Sequence, residues 1–153
     1  MIEAQHYQNA YVTRDIDSAI GQFARQTGRD DIRSFEANVD VITPRGRGKM
    51  STRMTLFWIN NLQYEIIQPL SGLVDVYVDS LPEDDSLRFH HSCMRVDDWD
   101  AFRSKVSDKD WPVVLEGGDE HLKFLYLDAR SFVGHYLEYT WMTAERWQLL
   151  SGL

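Results

Sequence analysis

Cysteine is almost missing from this chain: Cys93 is the only one in 153 residues. A single thiol excludes an internal disulfide framework and fits a reducing compartment, the cytoplasm. Long apolar runs are missing too, and none approaches the ~20 residues of a membrane-spanning helix. The first residues, MIEAQHYQN, show no basic segment followed by an apolar one, so no secretory signal is expected. Positive charge is scarce, with 16 Lys and Arg against 24 Asp and Glu and a formal net charge of −8. Duplex nucleic acid and anionic membranes both require a basic footprint, so neither is an expected partner.

What is present is globular. Hydrophobic residues make up 43% and aromatics 12% of the chain, enough for one domain with a sizeable core or two small halves that share one. Two stretches have the same plan. Residues 88–98 read RFHHSCMRVDD and residues 8–15 read QNAYVTRD. In each, a polar residue with metal affinity opens an apolar strand, His91 or Gln8, and an Asp seven positions later opens a helix (98 − 91 = 7; 15 − 8 = 7). This similarity points to an internal duplication.

The rest of the chain follows that plan. After a strand over 8–13, Asp15 is placed to cap a helix whose Ile16, Ala19, Ile20, Phe23 and Ala24 form one apolar stripe, and Gly28 is placed to stop it. Strands are expected over 32–42, 51–59 and 62–68, with 44–49 (PRGRGK) a flexible basic loop. The second half predicts a strand over 90–96, a helix capped by Asp98 that carries Trp99, Phe102 and Val106, and strands over 111–116, 121–127 and 135–140. The order strand, helix, three strands therefore occurs twice, in module 1 (about 5–69) and module 2 (about 88–141). The linker 70–87 contains an acidic PEDD at 82–85 and, over 74–78, a short strand or helical turn. A helical segment over 142–153 packs Trp147 and Leu150 on the remainder.

A turn at Asn60-Asn61 would pair Ile59 with Leu62, Trp58 with Gln63, Leu56 with Glu65 and Met54 with Ile67. Glu65 then shares a face with Met54, Leu56, Trp58 and Ile67. A carboxylate buried there needs a cation, a metal or a proton, unless a one-residue register slip returns it to solvent. Glu138 closes the second half as Glu65 closes the first, 47 residues after His91 against 57 after Gln8 (138 − 91; 65 − 8). By strand period His90 points to the face opposite His91, in a structural role. Cys93 shares the His91 face as a small buried apolar group. Tyr136, on the Glu138 face, lines a cleft or fills core. Arg45, Arg47 and Lys49 form either an anion clamp for a carboxylate, glutathione or a coenzyme A phosphate, or a solvated loop. Trp58 and Met54 beside Glu65 favour a substrate with a bulky apolar or aromatic part.

The pieces QNAYVTRDIDSAI, YEIIQPLSG, HHSCMRVDD and GHYLEY, in that order between residues 8 and 139, resemble the vicinal oxygen chelate superfamily. That group includes glyoxalase I, methylmalonyl-CoA epimerase, bleomycin-resistance proteins, fosfomycin-resistance enzymes and extradiol dioxygenases. The resemblance implies an α+β fold of two βαβββ modules in one domain, their curled mixed sheets forming a cleft. It also implies a metal site with one ligand from the first and last strand of each module: Gln8, Glu65, His91 and Glu138. Many members carry His first, whereas some glyoxalase I enzymes carry Gln there. Epimerases more often have His first and Gln second, so Glu65 departs from them. His6, on the Gln8 face, is the alternative first ligand.

Two carboxylates, an imidazole and an amide oxygen suit Zn²⁺, Ni²⁺, Co²⁺, Mn²⁺ or Fe²⁺. Such an ion would polarise a carbonyl while a carboxylate, Glu138 first and Glu65 second, moves a proton at the adjacent carbon. The resemblance thus implies a metal-dependent lyase or isomerase of the glyoxalase I type acting on a carbonyl or thioester. An acyl-CoA epimerase is the second candidate, and a metal-free small-molecule binding protein of the bleomycin-resistance type the third. Extradiol dioxygenases fit less well, since they usually use two His and one carboxylate. Family members are commonly dimers, so a homodimer is expected. Whether the four ligands meet within one chain or across two is left open by the sequence.

Overall fold

In the computed structural model, which describes residues 2–109 and 111–152, the first half runs β1 (Gln5–Val12), α1 (Ile16–Thr27), β2 (Phe35–Thr43), β3 (Gly46–Ile59) and β4 (Leu62–Gly72). A short helix, α2 (Asp75–Val78), leads to the second half. That half contains β5 (Arg88–Arg95), α3 (Trp99–Ser107), β6 (Val113–Gly118), β7 (Leu122–Leu127), α4 (Arg130–Val133) and β8 (Tyr136–Met142), and α5 (Ala144–Ser151) follows. The strand, helix, three-strand order is present twice. Both module helices start where a side chain supplies the missing acceptor: Asp15 takes the amide of Ser18 at 3.0 Å and Asp98 that of Ala101 at 2.9 Å. Gly28, at φ 74°, ends α1 in the left-handed conformation that a residue with a Cβ avoids.

Each half forms a four-stranded sheet. β1 lies parallel to β4, which continues antiparallel into β3 and β2, and β5, β8, β7 and β6 repeat this. The halves join along β1–β5 and again along β2–β6, where Val41 pairs with Gly117 and Ile42 with Glu116. The mixed sheets therefore curl into a closed eight-stranded barrel, and the expected cleft is its interior. Closure pairs the outer strands of both halves, so neither sheet has a free edge among the described residues.

The β3–β4 hairpin has the expected register, with Asn60 at φ 53° in the turn and Leu56 opposite Glu65. Residues 44–49 are not a flexible loop. β3 already begins at Gly46, and Lys49 faces Asp40 across the β2–β3 ladder, at 2.9 Å. Residues 74–78 form the helical turn α2 rather than a strand. Among the described residues no helix is long and apolar enough to cross a membrane.

Candidate metal centre

The site depends on two irregularities in the β1–β5 ladder. Along β1, His6 pairs with Met94 and Gln8 with Cys93, so Tyr7 is an extra residue. Along β5, His91 pairs with Ala10 and Phe89 with Tyr11, so His90 is an extra residue. A bulge of this kind interrupts alternation and re-aims side chains. Tyr7 and Gln8 are consequently both buried, as are His90 and His91. The prediction that His90 faces away from His91 is corrected by this bulge. His6, the alternative first ligand, stays outside: it is exposed, and its Nε2 lies 2.8 Å from Asn9 Oδ1 and 3.1 Å from the Gln8 carbonyl.

The two halves present their polar residues in matching places. Gln8 stands two residues before Ala10, which pairs with Glu65; His91 stands two before Cys93, which pairs with Glu138. Nε2 of His91 lies 2.9 Å from Glu138 Oε2 and 3.5 Å from Glu65 Oε2. One potential ligand atom from each of Glu65, His91 and Glu138 falls within 4.8 Å of the others, all from one chain. Gln8 Nε2 donates to Gln63 Oε1 at 2.7 Å. Among the described residues, three site atoms are buried without a hydrogen-bond partner: Gln8 Oε1, Glu65 Oε2 and His91 Nε2. The short approach of Glu138 to His91 is thus a charge contact lacking hydrogen-bond direction.

Burial alone would lower the imidazole of His91, but the flanking Glu138 and Glu65 carboxylates override it and hold the group at about 9. Burial raises Glu65, with His91 opposing and Glu138 reinforcing the rise. His90 is driven down to about 3, by burial first and by neighbouring His91 next. His90 Nε2 lies 2.8 Å from the Val76 carbonyl of α2, and its Nδ1 lies 2.8 Å from Nδ1 of His91.

Gln8, Glu65 and Glu138 line a cavity of about 260 Å³ inside the barrel, walled by Met50, Met54, Leu56, Phe124 and Met142. Tyr77 and Tyr126 also line it, their hydroxyls 2.7 Å apart, and burial raises both phenols. A larger groove of about 700 Å³, bordered by Asn38, Asp119 and Glu145, is lined by none of Gln8, Glu65, His91 and Glu138.

Of the residues expected to contact substrate, Met54 lines the cavity. Trp58 does not; its indole N–H donates to the Leu150 carbonyl at 2.9 Å. Tyr136 stacks on His90 with ring centres 4.8 Å apart and fills core instead. Arg45 forks onto Asp75 at 2.8 and 2.9 Å, and Arg47 is exposed on β3; neither borders the cavity. Sequence reasoning passed over Gln63, Tyr7, Tyr77 and Tyr126. The adjacent HH pair was the one signal available for His90.

Residues 7–126 match the family model of the Glyoxalase/Bleomycin resistance protein/Dioxygenase superfamily. A search of curated proteins found no match. Among solved structures, a hypothetical protein from Bacillus halodurans C-125 is similar with TM-score 0.63 and 12% identity, over 93% of this chain and 96% of that one. A methylmalonyl-CoA epimerase in complex with methylmalonyl-CoA and NH4+ gives TM-score 0.59 and 15% identity, over 92% and 96%. Methylmalonyl-CoA epimerase from Mycobacterium tuberculosis gives 0.56 and 13%, over 95% of each chain.

Proposed function

Since the chain belongs to the glyoxalase/bleomycin resistance protein/dioxygenase superfamily, we propose that it is a metal-dependent lyase or isomerase of the glyoxalase I type. It moves a proton beside the carbonyl or thioester of a small substrate. One observation carries this reading: Gln8 Oε1, Glu65 Oε2 and His91 Nε2 are buried without partners among the described residues, His91 meets Glu65 and Glu138, and Gln8, Glu65 and Glu138 line one largely apolar cavity. A buried polar atom without a partner costs about 1–3 kcal/mol, and a divalent cation would satisfy all three at once. The donors, an amide oxygen, an imidazole and two carboxylates, fit Zn²⁺, Ni²⁺, Co²⁺, Mn²⁺ or Fe²⁺.

Gln8, Glu65, His91 and Glu138 would hold the ion. When bound, it would supply Lewis-acid polarisation of the substrate carbonyl. Glu138, on the cavity wall, takes the proton from the carbon next to that carbonyl and returns it to the neighbouring position. Glu65 is the second candidate for this base. Met50, Met54 and Leu56 exclude water from the apolar part of the substrate. The cytoplasm suits a chain whose lone Cys93 is a buried thiol. A homodimer accords with the family pattern, although Glu65, His91 and Glu138 already meet within one chain.

Metal content of protein purified without chelator, alongside Glu138→Ala, tests the proposal. Close to one divalent ion per chain, lost in the variant, is the expected result. Assays on hemithioacetals then follow. No metal, and none taken up from Zn²⁺, Ni²⁺ or Mn²⁺, would overturn it in favour of a metal-free binding protein.

An acyl-CoA epimerase is the second reading, supported by the similarity to methylmalonyl-CoA epimerases. In that case the small cavity takes only the acyl end, and Glu65 and Glu138 each serve one face of the reacting carbon. Deuterium from solvent entering that carbon of an acyl-CoA ester, with no turnover of hemithioacetals, would favour it.

A further inference from the structure

Two buried imidazoles in contact, one of them a candidate ligand, raise the question of which nitrogen each presents. The Val76 carbonyl can only accept, so His90 Nε2, 2.8 Å away, carries a proton. Neutral His90 then has a bare Nδ1. That atom lies 2.8 Å from Nδ1 of His91, so His91 donates there and turns Nε2 to Glu65 and Glu138. We propose that His90 is the positioning residue of this site: through the Val76 carbonyl of α2 it fixes the tautomer and the ring plane of His91.

Packing supports the chain of bonds. The Tyr136 ring stacks on His90, and the ring centres of Tyr77 and Tyr126 lie 5.1 and 6.2 Å from it, so the ring cannot rotate freely. Both imidazoles are fully enclosed, at 2% and 0% exposure, and water does not compete for these nitrogens. The bulge that makes His90 an extra residue of β5 turns it inward; in an unbroken ladder it would face the other way. The first module has a parallel device, because Gln63 holds Gln8 Nε2 and leaves Gln8 Oε1 free. Groups of this kind that orient metal-binding side chains typically change affinity by 10–100-fold when removed. The connection also makes α2, from the segment between the modules, part of the site.

The proposal rests on the metal reading for its effect on affinity, but its hydrogen-bond chain exists without metal. Long-range ¹H–¹⁵N correlation of the histidine rings, recorded with and without Zn²⁺, reads the chain directly. The expected pattern is His90 protonated at Nε2 and bare at Nδ1 in both states, with His91 protonated at Nδ1. Zn²⁺ affinity is then compared among wild type, His90→Phe and His90→Asn, each checked for native circular dichroism. His90→Phe is expected to lose roughly 10–100-fold, and His90→Asn, whose side-chain oxygen can still accept from His91, to recover most of that. A proton on His90 Nδ1, or wild-type affinity in a folded His90→Phe, would overturn the proposal while leaving the metal site intact. The expected ring pattern in a wild type that takes up no metal would uphold the positioning chain and remove the metal reading.

Discussion

Glu65 and Glu138 close different modules, yet both reach one nitrogen: their Oε2 atoms lie 3.5 and 2.9 Å from Nε2 of His91. Two carboxylates facing a bare lone pair repel it, so a cation must sit at that nitrogen. Below about 9 in the metal-free protein the cation is a proton, held there by the carboxylates against the effect of burial.

An incoming metal must displace that proton, because only one cation can use the Nε2 lone pair. Titration calorimetry in buffers of different ionisation enthalpy should therefore show release of about one proton per Zn²⁺ at pH 7. Release should fall as the pH passes 9. Release near zero at pH 7 would mean that Nε2 is already bare.

The same groups set how stability depends on pH without metal. His91, raised from 6.5 to about 9, contributes stability that is complete below 6.5 and lost as pH rises through 9, by up to about 3 kcal/mol. His90, lowered from 6.5 to about 3, works in the opposite sense: stability falls as pH drops from 6.5 toward 3. Glu65, raised by burial, partly offsets that acid loss, since the folded state keeps its proton longer. Urea midpoints across pH 4–9 should thus peak between these limits. Bound Zn²⁺ should flatten the alkaline side, and His90→Phe should flatten the acid side.

Filling the cavity should separate substrate binding from metal binding. Met54 lines the cavity and is not among the four candidate ligands. The cavity, about 260 Å³, lies just below the usual range for ligand sites. Met54→Trp is expected to lower turnover tenfold or more, about 1.4 kcal/mol in the barrier, with Zn²⁺ affinity held within twofold. Loss of metal in this variant would show that the substitution distorts β4 through the hairpin.

Much of this was legible in the residues. Asp15, Gly28 and Asp98 marked the helix ends because capping chemistry is local, and Asn60-Asn61 fixed the hairpin register that buries Glu65. The bulges at Tyr7 and His90 left no trace in the alternation, and they decide that His90 faces in and His6 faces out. Barrel closure rests on the pairing of Val41 and Ile42 with Gly117 and Glu116, residues some 75 positions away that no pattern connects. Arg45 and Arg47 looked like a free basic cluster because the partner of Arg45, Asp75, lies thirty positions on.

Trp58 offers the last test. Its indole N–H donates to the Leu150 carbonyl at 2.9 Å, and its ring packs against Tyr7 and Trp147. Helix α5 has no fully buried residue and is held through Trp147 and Leu150, with Arg95 lying over the Trp147 ring at 4.2 Å. Leu150 and Arg146 of that helix line the cavity, so Trp58 acts on the site through α5 rather than by touching a ligand. Trp58→Phe keeps an aromatic ring in the cluster and removes one hydrogen bond worth about 1 kcal/mol. Amides of α5 should then exchange with deuterium roughly fivefold faster, with Zn²⁺ affinity unchanged. Trp58→Ala, which also removes the ring contacts, should accelerate exchange further and weaken binding of any ligand that needs α5 closed over the cavity. Unchanged exchange in both variants would mean that Trp147 and Leu150 hold the helix unaided and that Trp58 has no influence on the cavity.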